Sequence, residues 1–455
     1  MVNEIADNIT FDTRDEFARI GIAKKITSLL ASDARVSPMI IDGGWGTGKT
    51  EFCKKLINHI KCSDLNFEVV YIDAFRYDNN SEPLLAVLSS IIKILPEDEQ
   101  TSLIEKALPA IKFGIKTTLK AGVSWVLKQD AADIADDFDG ELKKVGDAAA
   151  NHAVEAVLKD HVASEENIEL LINTLVEVTN AKPIIIVIDE LDRCRPDYSV
   201  TILEYIKHIF NVPNIQFILV TNKEQLRASI IHTYGAIDAQ KYLDKFISYS
   251  FILPQVINSQ AHNERLVSVI HLQGLLEASQ VLADSKLTEE GVFYLLETLV
   301  KTNNLSLREV ETLVRYMEIY HIVTESDGFK ANLIFGHMLL RVVGIYIFCF
   351  HSEQAELLSG GVIDCSFLSR IVGKPSLIDL DDDRPDLNDI LVAIFSSESK
   401  VASDKFEVLY ENKKPAWEEN IRSLFQGSRA WAPERGERME IVTKTINALK
   451  LSDSN

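Results

Sequence analysis

Gly43, Gly48, Lys49 and Thr50 satisfy the spacing GxxxxGK[ST] within MIIDGGWGTGKTEFCKKL, Met39 to Leu56. That spacing is built for phosphate. Glycines let successive backbone N–H groups turn inward on an anion, the lysine reaches the β- and γ-phosphates, and the hydroxyl is offered to Mg²⁺. A helix running from about Lys49 adds the positive end of its dipole to the same place. The expectation is a nucleoside triphosphate held by Gly43, Gly44, Trp45, Gly46, Thr47, Gly48, Lys49, Thr50 and Glu51, with Thr50 on the metal.

Such a loop needs a strand before it and a helix after it. Met39, Ile40 and Ile41 supply a short apolar strand, and Phe52, Leu56 and Ile57 give the following segment one apolar side. A second element lies far downstream in KPIIIVIDELDRCRPD, Lys182 to Asp197. The β-branched run Ile184 to Ile188 reads as a central parallel strand buried on both faces, ending in Asp189 and Glu190. A carboxylate at that strand end can hold Mg²⁺, and a second beside it can orient and deprotonate an attacking water, so Asp189 is assigned to the metal and Glu190 to the base. A solvated pair of acids capping a helix is the competing reading. A third run, Ile215 to Val220, closes on Thr221 and Asn222. An amide at the tip of a strand between the first two could touch the γ-phosphate and the lytic water together; an asparagine in a strand-to-helix turn is the plainer reading.

WGTGKT with Trp45, DELDRC with Cys194 and Pro196 nearby, and TNKEQL followed by Tyr242, Leu243, Lys245, Phe246 and Phe251 to Pro254 together resemble the KAP P-loop NTPases, relatives of AAA+ and STAND ATPases. The resemblance covers roughly residues 11–315. Asp189-Glu190-Leu191-Asp192-Arg193-Cys194 is its most specific element. Two residues depart from the family pattern. The family usually carries two aspartates where Asp189 and Glu190 stand, and Phe75 replaces a strand-end tryptophan.

The resemblance implies an α/β three-layer P-loop NTPase with a parallel sheet of order 5-1-4-3-2, a helical lid, and Mg²⁺-dependent ATP hydrolysis. Strands are expected near residues 38–42, 68–73, 184–188, 215–221 and 248–252. The expected divisions are an N-terminal helical segment 1–36, a core 37–254 with a helical insertion 95–168, a lid 255–345, and a mainly helical region 346–455. Apolar spacing from Phe17 to Leu30 predicts a first helix that Asp15 helps to start. In the family that segment packs beside the base, so Phe11 to Ile20 are candidates for adenine contacts.

Two basic residues gain roles from the same resemblance. Arg308, in a helix start with Ser306 as N-cap, matches the sensor-2 position of AAA+ lids, although a plain surface arginine fits as well. Lys245 falls near the finger that AAA+ relatives insert into a neighbouring subunit's site; Arg193 and Arg195 compete with it, and a surface pairing of Lys245 with Asp244 or Glu224 is the bland alternative.

Many family members carry membrane helices between the two nucleotide motifs. Here Leu108 to Leu127 is interrupted by Lys112, Lys116 and Lys120, short of the ~18–20 apolar residues a span needs. The insertion reads as helical, with an acidic patch at Asp133, Asp136, Asp137 and Asp139. Ala331 to Phe350 is longer and apolar, but His337 and Arg341 inside it argue for a core helix rather than a span.

Bulk properties narrow the partners. The 455-residue chain carries a formal net charge of -21, which disfavours nucleic acid without excluding a local basic patch at Arg422, Arg429, Arg435 and Arg438. Glutamates interleave those arginines, as on a solvated mixed-charge surface. Five cysteines without metal spacing read as reduced thiols, and the polar N-terminus lacks a signal core; both fit a cytoplasmic protein. The acidic stretch Asp379 to Asp389 lacks the glycine of a Ca²⁺ loop. The expected activity is that of an ATP-driven switch or assembly platform, a homo-oligomer or the partner of an effector protein. Resemblance to soluble bacterial members points to anti-phage defence. A weakly hydrolysing scaffold and a DNA-acting motor are the competing classes.

Overall fold

The computed structural model describes residues 9–451 apart from 64, 79–82, 97–99, 102, 105–167, 181, 209, 259–263, 379, 381–383, 400–405, 407–409, 427–432 and 435. Most of the expected helical insertion, with its acidic patch, therefore lies outside the described residues, as do Arg429 and Arg435. The chain divides into two units, residues 1–253 and 254–455.

The first unit is built on a parallel sheet of β1 (Met39–Asp42), β2 (Glu68–Asp73), β3 (Ile184–Asp189), β4 (Ile215–Thr221) and β5 (Tyr249–Ile252). The order β2-β3-β4-β1-β5 is the expected 5-1-4-3-2 read from the other edge. Every strand lies within a residue of its expected bounds. β3 shows why: all of Ile184–Asp189 is buried, as a strand covered on both faces requires. Its side chains alternate. Ile184, Ile186 and Ile188 enter one core with α3 (Pro83–Ile92), α4 (Pro196–His208) and α5 (Lys223–Tyr234). Ile185 and Val187 enter the other with α1 (Ile20–Leu30) and α2 (Lys49–Lys61). Helices on both faces of one sheet make the three layers.

Asp15 does start α1: its carboxylate accepts from the N–H groups of Arg19 at 2.8 Å and Ile20 at 3.1 Å. Ala23, Ile26 and Leu30 then face the core, which ties the N-terminal segment to the sheet.

The second unit is mainly helical, after a two-stranded antiparallel ribbon of Val256–Asn258 and Glu264–Leu266. Ser306 caps α6 (Leu307–Val323) in a reciprocal capping box with Glu309. The apolar stretch ending at Phe350 forms α7 (Phe335–Phe350), a core helix. Its Arg341 is accommodated by donating to the carbonyls of Asp327 at 2.8 Å and Gly328 at 2.6 Å. Among the described residues no helix is long and apolar enough to cross a membrane. α7 packs on α8 (Arg438–Leu449) at Gly344, where a Cβ would lie 3.0 Å from Thr445 Cβ. One core runs from Val269 to Leu449, and α7 crosses the boundary at 345/346 that the sequence suggested.

Candidate nucleotide-binding site

Strand register sets the site. Asp42 pairs with Thr221, Val220 with Asp189, and Asp189 with Asp73, so β1, β4, β3 and β2 end together at the carboxyl rim of the sheet. In open parallel sheets that rim is where ligands bind.

The loop after β1 turns through left-handed backbone at Gly46 (φ 73°) and Gly48 (φ 81°), and α2 begins at Lys49. Thr47 closes it with a hydroxyl bond to the Gly44 carbonyl at 2.9 Å, and Arg19 donates to the Thr47 carbonyl at 3.2 Å. Burial brings the Arg19 guanidinium down to about 10 against the pull of Glu51, Glu16 and Asp15. Lys49 folds into its own loop, with Nζ on the carbonyls of Gly43 at 2.6 Å and Gly44 at 2.8 Å. Burial lowers the pKa of this ammonium, opposed by Asp192, Asp189 and Asp42. Glu51 pairs with Lys55 at 2.9 Å, one turn along α2.

Opposite this loop stands a carboxylate that is almost completely buried. Asp189 Oδ1 accepts from the Glu190 N–H at 2.8 Å and Oδ2 from the Tyr71 hydroxyl at 3.1 Å. Burial raises the Asp189 pKa, and the neighbouring Thr50 hydroxyl, the Glu190 N–H and the Tyr71 hydroxyl pull it the other way. Glu190 sits at φ 60°, a left-handed conformation, with its carboxylate 3.0 Å from Arg193 Nη2. Burial raises its pKa too; Arg193 opposes this, while Asp189, Asp73 and Asp192 add to it.

Asp192 links the two sides. Its Oδ2 accepts from Trp45 Nε1 at 2.6 Å and its Oδ1 from the Thr221 hydroxyl at 3.2 Å. Trp45 is otherwise 54% exposed.

The donor set suits Mg²⁺. Thr50 and Asp189 are neighbouring hard oxygen donors, and Mg²⁺ typically takes one or two protein oxygens together with waters and substrate phosphates. Among the described residues no three His, Cys, Asp or Glu side chains form a metal cage on their own.

Residues 19–323 match the profile of the KAP family P-loop domain. The chain belongs to the KAP family of P-loop NTPases. A relative is the Phage T7 exclusion protein of Escherichia coli (strain K12), 20% identical over 269 residues, which cover 55% of this chain and 34% of that protein. This KAP chain thus spans about a third of its relative's length.

Of the residues singled out from sequence, Lys49, Thr50, Asp189 and Glu190 lie on one rim. Asn222 is there too, at the tip of β4, where its Oδ1 caps α5 by accepting from the N–H groups of Glu224 at 3.0 Å and Gln225 at 3.4 Å. Lys245 pairs with neither expected carboxylate; its ammonium lies over the Tyr242 ring, 5.8 Å from the centroid. Arg195 clamps Asp78 through Nε at 3.1 Å and its own N–H at 3.1 Å. Arg308 is exposed in the first turn of α6, in the second unit. A narrow crevice beside α2 is lined by Phe11, Phe17 and Arg19 of the segment expected near the base and by Phe52 and Lys55 of α2 itself.

Tyr71, Thr221 and the linking role of Asp192 were not read from sequence. Tyr71 left no local signal: it shares a sheet face with Asp189 only because Asp73, two residues on, pairs with that carboxylate.

Proposed function

We propose that the rim binds Mg·ATP and hydrolyses it, and that the chain uses the cycle as a conformational switch or assembly platform in anti-phage defence. The observation that carries this reading is the strand register, which ends β1, running into the phosphate loop, and β3, ending in Asp189, at the same rim. The Thr50 hydroxyl neighbours Asp189 there, as a hydroxyl and an acid sharing Mg²⁺ would need.

In this reading the loop amides and the start of α2 receive the β- and γ-phosphates, and Lys49 leaves the Gly43 and Gly44 carbonyls to neutralise them. Bound Mg²⁺ would supply charge neutralisation between those phosphates, held by Thr50 and Asp189. Glu190 takes the proton of the attacking water. Asn222 keeps its amide Nδ2 for the γ-phosphate while Oδ1 caps α5. Arg308 as sensor, and Lys245, Arg193 or Arg195 as a finger toward a second copy or an effector, remain assignments by family likeness. The phage role is proposed from the likeness to the Phage T7 exclusion protein.

The pairing of Glu190 with Arg193 favours slow basal turnover, and with it a second reading as a nucleotide-held scaffold. A single experiment tests both. Glu190→Gln should leave Mg·ATP affinity within about threefold while lowering turnover by about 10²- to 10⁴-fold. Calorimetry and phosphate release read the two quantities. A wild-type protein that retains no Mg·ATP refutes the proposal. A defence switch should lose protection in a plaque assay with Glu190→Gln, whereas a scaffold should keep it.

A further inference from the structure

Three parts of the site far apart in sequence meet at one carboxylate. Trp45 belongs to the phosphate loop, Asp192 to the turn after β3, and Thr221 to the end of β4, and both Asp192 oxygens are engaged. The Trp45 bond is short, at 2.6 Å, although more than half of the residue faces solvent. Thr221 is completely buried, so its hydroxyl cannot turn to water in place of Asp192. Asn222 follows it directly and holds the start of α5.

We propose that Asp192 is a positioning residue that ties the phosphate loop to the tip of β4 and so makes the site respond to a triphosphate differently from a diphosphate. This rests on the nucleotide-binding reading above. The physical reason lies in the two ends of the tie. A β-phosphate entering the loop displaces Lys49 from the Gly43 and Gly44 carbonyls, next to Trp45. A γ-phosphate extends past the loop toward the ends of β3 and β4. Only a triphosphate loads both ends at once. Asp192 then transmits the load to Thr221, Asn222 and α5 through two hydrogen bonds, without touching the phosphates itself.

The test compares affinities for ADP and for the β,γ-imido analogue of ATP, each with Mg²⁺, in the wild type and three variants. Thr221→Val is nearly isosteric and removes only the hydroxyl. Trp45→Phe removes the indole N–H. Asp192→Leu is close in size and removes both acceptors, so it can satisfy neither Trp45 nor Thr221. Each variant should lower the triphosphate-to-diphosphate affinity ratio by about 5- to 20-fold, and in Thr221→Val, which lies outside the phosphate loop, ADP affinity should stay nearly constant. Trp45→Phe and Thr221→Val combined should lose little more than either alone. In a second measurement, Thr221→Val should shrink the nucleotide-induced change in Trp45 emission, taken as the signal that Trp45→Phe removes.

Equal losses for both nucleotides, or strict additivity of Trp45→Phe and Thr221→Val, would overturn the tie and leave only a structural role. If Asp192→Leu fails to fold in a thermal melt, Thr221→Val and Trp45→Phe carry the test. The two proposals fail differently. A wild type that binds neither nucleotide sinks both, whereas nucleotide binding abolished by Lys49→Ala but with an unchanged ratio in the three variants sinks only the tie.

Discussion

Asp189 and Glu204 are two buried carboxylates in the same unit, each held by tyrosine. Tyr71 donates to Asp189 at 3.1 Å; Tyr234 and Tyr242 both donate to Glu204 Oε1, the latter at 3.2 Å. Burial raises the pKa of both. Their settings differ. Beside Asp189 stand a phosphate loop, the Lys49 ammonium and a strained Glu190, all at the open rim of the sheet. Beside Glu204 are the rings of Tyr234, Tyr242 and Phe246, with Lys207 and Lys245 over two of them. A perturbed buried acid is thus not by itself a sign of chemistry; the groups brought to it from other elements decide.

Three changes would break or sharpen that contrast. Lys49→Ala should have the largest effect, weakening Mg·ATP by about 10²-fold or more in calorimetry, because a charge-assisted contact to the phosphates is lost. An affinity unchanged by it would place the ligand elsewhere. Next comes Tyr71→Phe, which removes one of the bonds orienting Asp189. Mg²⁺ should then bind about 10-fold more weakly in the presence of nucleotide, read from the Mg²⁺ dependence of thermal stabilisation, with metal-free nucleotide affinity unchanged.

Glu204→Gln should have the smallest effect, and on stability alone. Below the ordinary carboxylate value of 4.5 both folded and unfolded chains hold the proton, and Glu204 costs nothing. As pH rises above it, the unfolded chain ionises first while the folded one is held neutral, so stability falls until the raised native value is passed. Glutamine keeps the Oε1 acceptor for both tyrosines and has no proton to lose. The variant should show a flatter pH profile and a melting midpoint about 1–3 °C higher at neutral pH. A lower midpoint there would mean that the ionised acid is favoured after all.

What could be read in the sequence follows from what is local. The β-branched run of β3 and the apolar triplet of β1 announce themselves, because a strand covered on both faces tolerates little else. The phosphate loop and the Asp189-Glu190 pair were legible from residue type and spacing. Ser306 and Asp15 were legible as helix starters because caps act within a few residues. Tyr71, Thr221 and the double bond to Asp192 were not, since each depends on register between strands or turns well separated along the chain. Lys245 hid its ring contact for a related reason. Its partner is an aromatic face three residues back, and charge counting looks only for acids. The continuity of the second unit's core across α7 was equally hidden, because an apolar helix does not reveal which neighbours it will join.

The left-handed backbone at Glu190 has one more consequence. A side chain with a Cβ pays about 1 kcal/mol or more for that conformation, and glycine or asparagine would relieve it. A chain shaped only to stay folded would set one of those two at this turn. Here the turn carries instead the acid assigned to water activation, so ease of folding and competence in chemistry pull on one residue in opposite directions.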